Sequence, residues 1–177
     1  MNAVATASRP ENVMESDGAA DAAEARPCQN IAEARERLAR AMQDSPDNGE
    51  LPLALGHVEM SLGNFEAAHA AYASATSLLP KSAAAHSSLA LACQKLGRST
   101  EAAQAALRAI ALDPTDPTAL KVLARIHLDA GQHEAAQNAC RLILRRDSYD
   151  AEARQMMGEA LAQEAKLAEN LFDSKAP

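Results

Sequence analysis

No tryptophan occurs among the 177 residues, and only two tyrosines and two phenylalanines do. A core built around large rings is therefore excluded, and burial has to come from many small contacts. Cysteine is scarce as well. Cys28, Cys93 and Cys140 are odd in number and widely spaced, with no CxxC pair, so neither a zinc site nor a redox pair is indicated. A reducing cytoplasm fits that usage. Positive charge is in deficit, with 17 Lys and Arg against 24 Asp and Glu and a net charge of −7. A general nucleic-acid binder needs a basic footprint, and attraction to an anionic membrane surface needs the same, so both are excluded. No run approaches the ~18 apolar residues of a membrane span. The opening MNAVATASRPENVMES also lacks the basic start and apolar stretch of a signal peptide.

What the chain has in excess is alanine, about a quarter of all residues. Alanine is the strongest helix former and lets helices approach closely, so the composition predicts an all-α protein. It also has a period. Gly63 in SLGNFEAA, Gly97 in KLGRSTEAA and Gly131 in DAGQHEAA are spaced 34 residues apart, as are Pro80 and Pro114, with Pro46 and Ser148 in register. Three units follow, 49–82, 83–116 and 117–150. Their columns agree: Leu55, Leu89 and Leu123 at position seven; Gly56, Ala90 and Ala124 at eight; Ala68, Ala102 and Ala136 at twenty. Tyr72, Ala106 and Cys140 stand at twenty-four, and Ala75, Ala109 and Ile143 at twenty-seven.

Each column has a physical reading. Gly63, Gly97 and Gly131 supply the positive φ that ends a first helix in a tight turn. Asn64 and Ser99 are the expected N-caps of the second helices in the first two units. Small residues at positions eight and twenty let the two helices of a unit touch. Pro114 ends a helix, and Asp116–Pro117 pairs an N-cap with proline at the first helical position.

The 34-residue period with LG…A…Y…A…P resembles the tetratricopeptide repeat, over the whole of 49–150. The first unit is most similar to it, carrying Leu55-Gly56, Gly63, Phe65, Ala68, Tyr72, Ala75 and Pro80. The large residue usual at position four is replaced by Pro52, His86 and Leu120, and the aromatic at eleven by Glu59, Cys93 and His127, which thins the core. The resemblance implies a right-handed solenoid of antiparallel helix pairs. At the ends, 28–48 match a second helix only, with Ala34, Leu38 and Ala41 in columns twenty, twenty-four and twenty-seven, and form an N-terminal cap. A helix over 151–172 is either a solvating cap or the first helix of a truncated fourth unit, with 173–177 as a tail. Residues 1–27, polar and aperiodic, are expected to be disordered.

In proteins of this family the first helices line a concave groove. By that resemblance the groove is lined by Leu53, His57 and Met60 in the first unit, Ser87, Leu91 and Gln94 in the second, and Lys121, Arg125 and Leu128 in the third. Gln155 and Glu159 add to it from the last helix. Such a lining is apolar at one end and basic further along, which suits a protein or peptide client with an apolar and an acidic segment. The Lys and Asn clamp with which some members hold acidic chaperone tails is absent, because Leu53/His57 and Ser87/Leu91 occupy its positions.

The bland readings hold elsewhere. The histidines lack the i,i+4 spacing of a helical metal site, and His127 is expected as a half-buried, hydrogen-bonded imidazole. Cys93 and Cys140 stand in core columns as small hydrophobes. Arg145-Arg146 complement a helix C-terminus. No catalytic motif is present; no catalytic, cofactor or metal residue is assigned, and the chain is expected not to be an enzyme. The leading function is a cytoplasmic adaptor or scaffold. The alternatives are a chaperone for a secreted substrate, a self-assembling scaffold forming homo-oligomers, and an accessory subunit of a separately encoded enzyme.

The alanine columns give a direct test. Ala68→Leu and Ala102→Leu should each destabilise the fold by about 1–3 kcal/mol through overpacking, measured by urea or thermal unfolding. Unchanged melting in both variants would mean that the register is wrong.

Overall fold

The computed structural model of the protein describes residues 18–173, and all of its regular structure among these is helical. Helix α1 (Gly18–Asp44) precedes three pairs: α2 (Glu50–Ser61) with α3 (Phe65–Leu78), α4 (Ala83–Lys95) with α5 (Ser99–Leu112), and α6 (Pro117–Asp129) with α7 (His133–Arg146). Helix α8 (Ala151–Asp173) follows. Each unit expected from the 34-residue period holds one pair.

Two kinds of turn alternate along the chain, and both repeat with the period. Within a unit, Gly63, Gly97 and Gly131 take φ of 75°, 72° and 70°. The glycine N–H reaches back to Met60, Gln94 or Leu128, and the next N–H reaches Glu59, Cys93 or His127. These are three Schellman motifs, which satisfy carbonyls left over at a helix end. The residue that follows has nearly the same backbone in all three, φ −83° and ψ 68° at Asn64, −87° and 67° at Arg98, and −89° and 67° at Gln132. No side chain caps these helix starts. The expected caps at Asn64 and Ser99 are thereby corrected: Ser99 is already inside α5, and Asn64 turns its amide to Glu59 at 2.9 Å. The glycine turn delivers the chain into the second helix in a fixed direction, whichever residue follows.

Between units the caps are real, and they form a column of their own. Ser82, Asp116 and Asp150, each the last residue of its unit, accept from the N–H three residues on, at 3.3, 2.9 and 2.9 Å. Asn48, 34 residues before Ser82, accepts from the Glu50 N–H at 3.1 Å. Pro117 follows its cap at the start of α6.

Helix contacts show how the pairs stack. The first helices touch one another, α2 with α4, α4 with α6 and α6 with α8, whereas α3, α5 and α7 contact only first helices and α8. A stack that brings one layer together and splays the other is curved, with the first helices on its concave side. Helix α8 occupies the place of a first helix, burying Ala153, Met156 and Ala160. A Cβ on its Gly158 would meet nothing within 4 Å, and Leu161 is half-exposed.

The N-terminal expectation needs a correction. Residues 1–17 lie outside the described residues, but helix begins at Gly18 rather than near 28. The segment GAADAAEA is rich in strong helix formers, so propensity continues the helix where no apolar period exists. It does so through Pro27, which has no N–H to return to the preceding turn.

The core is small-residue packing throughout. Ala68, Ala75, Ala90, Ala102, Ala106, Ala109, Ala124 and Ala136 are fully buried. Position eight and position twenty-four share their volume unevenly between units. In the first, a Cβ on Gly56 would overlap the Tyr72 ring. In the second, Ala90 and Ala106 lie in one cluster, and in the third Ala124 and Cys140 do.

Gly56→Ala should therefore destabilise the protein by about 1–3 kcal/mol through overpacking, even though alanine gains about 1 kcal/mol of helix propensity over glycine and stands in the same column of the other units. In a Tyr72→Cys background the same change should become neutral or stabilising. Chemical denaturation of the four proteins of this cycle measures the coupling, and equal effects in both backgrounds would refute it.

Candidate functional site

The concave layer is built from α2, α4, α6 and α8, and the expected groove residues fall into three groups on it. Leu53, Ser87 and Leu128 are buried. Leu53 lies in the core with Tyr72 and Ala75, Leu128 in the core with Ala136 and Met156, and the Ser87 hydroxyl donates to the Ala84 carbonyl at 3.2 Å. These three floor the surface instead of lining it.

His57, Met60, Leu91 and Gln94 are exposed or half-buried. Met60 packs on the first-unit core and Leu91 on the second. The His57 ring stands edge-on to Tyr72 with centroids 5.4 Å apart, and its Nδ1 lies 3.0 Å from the Tyr72 hydroxyl. This bond gives the phenol a partner at the wet edge of the core, while burial pushes its pKa up to about 12.

The third group overturns the basic end of the groove. Lys121 Nζ is 2.7 Å from Asp150 and 3.2 Å from Glu152. Arg125 donates to Glu159 at 2.9 Å, and the other Glu159 oxygen accepts from Gln155 at 2.9 Å. The two cations do not converge on one client carboxylate; the chain's own carboxylates already occupy them. The period explains why. Arg125 and Glu159 are 34 residues apart, so they hold the same position on neighbouring first helices and meet across the layer. Opposite charges in one repeat column were the available signal.

These pairs dock α8, together with Gln137 of α7, whose amide donates to Glu164 at 2.6 Å. Hydrogen bonds hold the carboxylates below their ordinary pKa, from Lys121 and the Ala153 N–H at Asp150, and from Gln155 and Arg125 at Glu159. At Lys121 partial burial lowers the pKa, but the bonds to Asp150 and Glu152 more than offset it.

A second ionic contact was not legible in the sequence. Glu59, where the family has an aromatic, is 2% exposed. It accepts from Arg35 of α1 at 2.7 Å and from Asn64 at 2.9 Å. A buried carboxylate needs such partners, and here they tie the N-terminal cap helix to the first unit. His127 bonds Gln132 at 2.6 Å and is half-buried. Cys93 and Cys140 are buried, and burial raises both thiol pKa values, which keeps them poor nucleophiles. His69 of α3, Cys93 of α4 and Glu101 of α5 bring a nitrogen, a sulfur and an oxygen within 4.8 Å of one another. No helix among the described residues is long and apolar enough to cross a membrane.

The α8 contacts predict a pH dependence. Carboxylates with depressed pKa stabilise the fold above their ordinary range, and this contribution fades as pH falls through the folded-state value. The melting temperature of Lys121→Met should lie below that of the wild type at neutral pH. The gap should close as pH falls below the ordinary carboxylate range, from about pH 4 downward; a gap independent of pH would refute the pairing.

Two tetratricopeptide-repeat family models match residues 53–117 and 94–160, together most of the described chain. No curated protein matches the sequence. Solved structures do share the fold. The crystal structure of the MamA protein superposes with a TM-score of 0.72 at 23% identity, over 84% of this chain and 81% of that one. A tetratricopeptide-repeat protein from Parabacteroides merdae gives 0.69 at 20% identity, over 85% of this chain and 60% of that one. YrrB, described as a TPR protein with an unusual peptide-binding site, gives 0.66 at 20% identity, over 78% of this chain and 71% of that one. At these identities the likeness is one of fold. With its 34-residue period, its three glycine turns and its two-layered stack of helix pairs, the chain belongs to the tetratricopeptide-repeat family, whose members are as a class protein-interaction modules.

Proposed function

We propose that the protein is an adaptor that holds a short segment of another protein on its concave face, with apolar side chains against the first two units. One observation carries this reading. The inner helix layer leaves Met60 and Leu91 half-buried and His57 exposed, while the cations of the third unit are held by Asp150, Glu152 and Glu159. The apolar part of the surface is thus the part without internal partners. A client with an acidic end is no longer required, since that end would have to displace intramolecular ion pairs. The peptide-binding site named for YrrB supports a peptide as the ligand class. A chaperone for a secreted substrate would use the same surface with a different occupant.

Half-buried apolar anchors govern the lifetime of a complex, and rim charges govern its encounter rate. Peptides selected from a random library against the full chain should be apolar. Their affinity should fall about tenfold or more in Met60→Ala with Leu91→Ala, mainly through faster dissociation, and change little with salt. Leu107→Ala with Leu142→Ala, both half-exposed on second helices, should leave affinity unchanged. Fluorescence anisotropy and stopped-flow measure both quantities. The reverse pattern would move the site to the outer layer.

A further inference from the structure

We infer that His69, Cys93 and Glu101 form a binding site for a divalent transition-metal ion of the zinc class, placed where the first unit meets the second. The three come from three helices, α3, α4 and α5. In the structure their ligand atoms lie within 4.8 Å of one another. One oxygen, Glu101 Oε2, is the common neighbour, 3.5 Å from His69 Nε2 and 4.0 Å from Cys93 Sγ. The His69–Glu101 distance is long for a nitrogen–carboxylate hydrogen bond, which closes to about 2.7–3.0 Å. Ligands ~2.0–2.3 Å from one tetrahedral centre stand about 3.3–3.7 Å apart, so the His69–Glu101 separation already matches and the Cys93 thiol has a few tenths of an ångström to close.

The donor set selects the ion. Imidazole, thiolate and carboxylate together suit zinc, and three protein ligands leave a fourth position for water. A cavity of about 270 Å³ beside the group, lined also by His86, Thr76 and Arg108, gives that water room. His86 is itself engaged, its Nε2 lying 3.2 Å from the Pro80 carbonyl, so it does not complete the set. Arg98 lies 3.7 Å from the same Glu101 oxygen. Its side chain is 45% exposed, and it is free to swing into solvent as the metal takes over that carboxylate. On binding, the Cys93 thiol gives its proton to solvent and a sulfur–metal bond forms. Zinc would then cross-link the second helix of one unit to both helices of the next.

Cobalt(II) and zinc added to the chelator-stripped full chain test this. Cobalt should produce a thiolate-to-metal charge-transfer band in the near ultraviolet and the intense visible bands of tetrahedral coordination, saturating at one equivalent and reversed by zinc. The band should survive in Cys28→Ser and Cys140→Ala and vanish in Cys93→Ala. Glu101→Gln changes an exposed residue and leaves the core untouched; it should weaken binding by about tenfold or more. Zinc at a hundredfold excess over its Kd should raise the wild-type melting temperature by about 5 °C or more, and Glu101→Gln should lose most of that shift. No charge-transfer band in the wild type, or a band and a thermal shift unchanged by Cys93→Ala and Glu101→Gln, would overturn the assignment.

Discussion

Two helices touch along their backbones only where the side chains between them are no larger than a methyl group, or where one side is emptied to admit a larger group on the other. The pairs of this chain depend on that condition. It explains the composition, since a protein with few rings has to gain its burial from closeness. It also explains why the first unit can keep Tyr72: Gly56 yields the space that Ala90 and Ala124 occupy elsewhere. The glycine turns at Gly63, Gly97 and Gly131 serve the same closeness, because a looser connection would not return the second helix onto the first. A stack built this way is held by neighbour contacts, one helix pair to the next, and lacks the long-range closure of a globular core.

Most of the backbone was legible from the amino acids, for a physical reason. Turn glycines and small-residue columns act through local geometry, and the 34-residue period repeats them until chance is excluded. The N-caps show the limit of residue-type reasoning. Asn64 is a good capping residue and caps nothing, because the Schellman turn before it has already set the direction of the chain. Ser82, Asp116 and Asp150 do accept the capping bonds, and with Asn48 they were open to view as one column. The start of α1 was missed because propensity alone drives the helix there, without an apolar stripe to mark it.

The candidate site was read less well, because it rests on contacts between units. Lys121 and Arg125 look free on their own helix and are paired only through α8. Glu59 looks like a loss of core and is a buried ionic tie to α1. His69, Cys93 and Glu101 converge although no spacing rule joins them. In each case the missing information is which columns face each other across a unit boundary, and a single helix wheel does not contain it. Glu59, Gln137 and Asp116 at these boundaries have their partners within the chain, so the stack is fixed in register by hydrogen bonds and ion pairs as well as by fit.

The described residues open on a helix of the second kind and close on one of the first kind. Counted from Gly49, that leaves two orphan halves around three units. Counted from α1, the same eight helices among the described residues make four pairs, α1–α2, α3–α4, α5–α6 and α7–α8. In a lattice only the length of the translation is a property of the object, and the origin is a choice of the observer. What the sequence encodes here is likewise a step, not a block. A deletion or duplication 34 residues long carries every turn and cap onto its counterpart, and it leaves the packing intact wherever Gly56 and Tyr72 stay together.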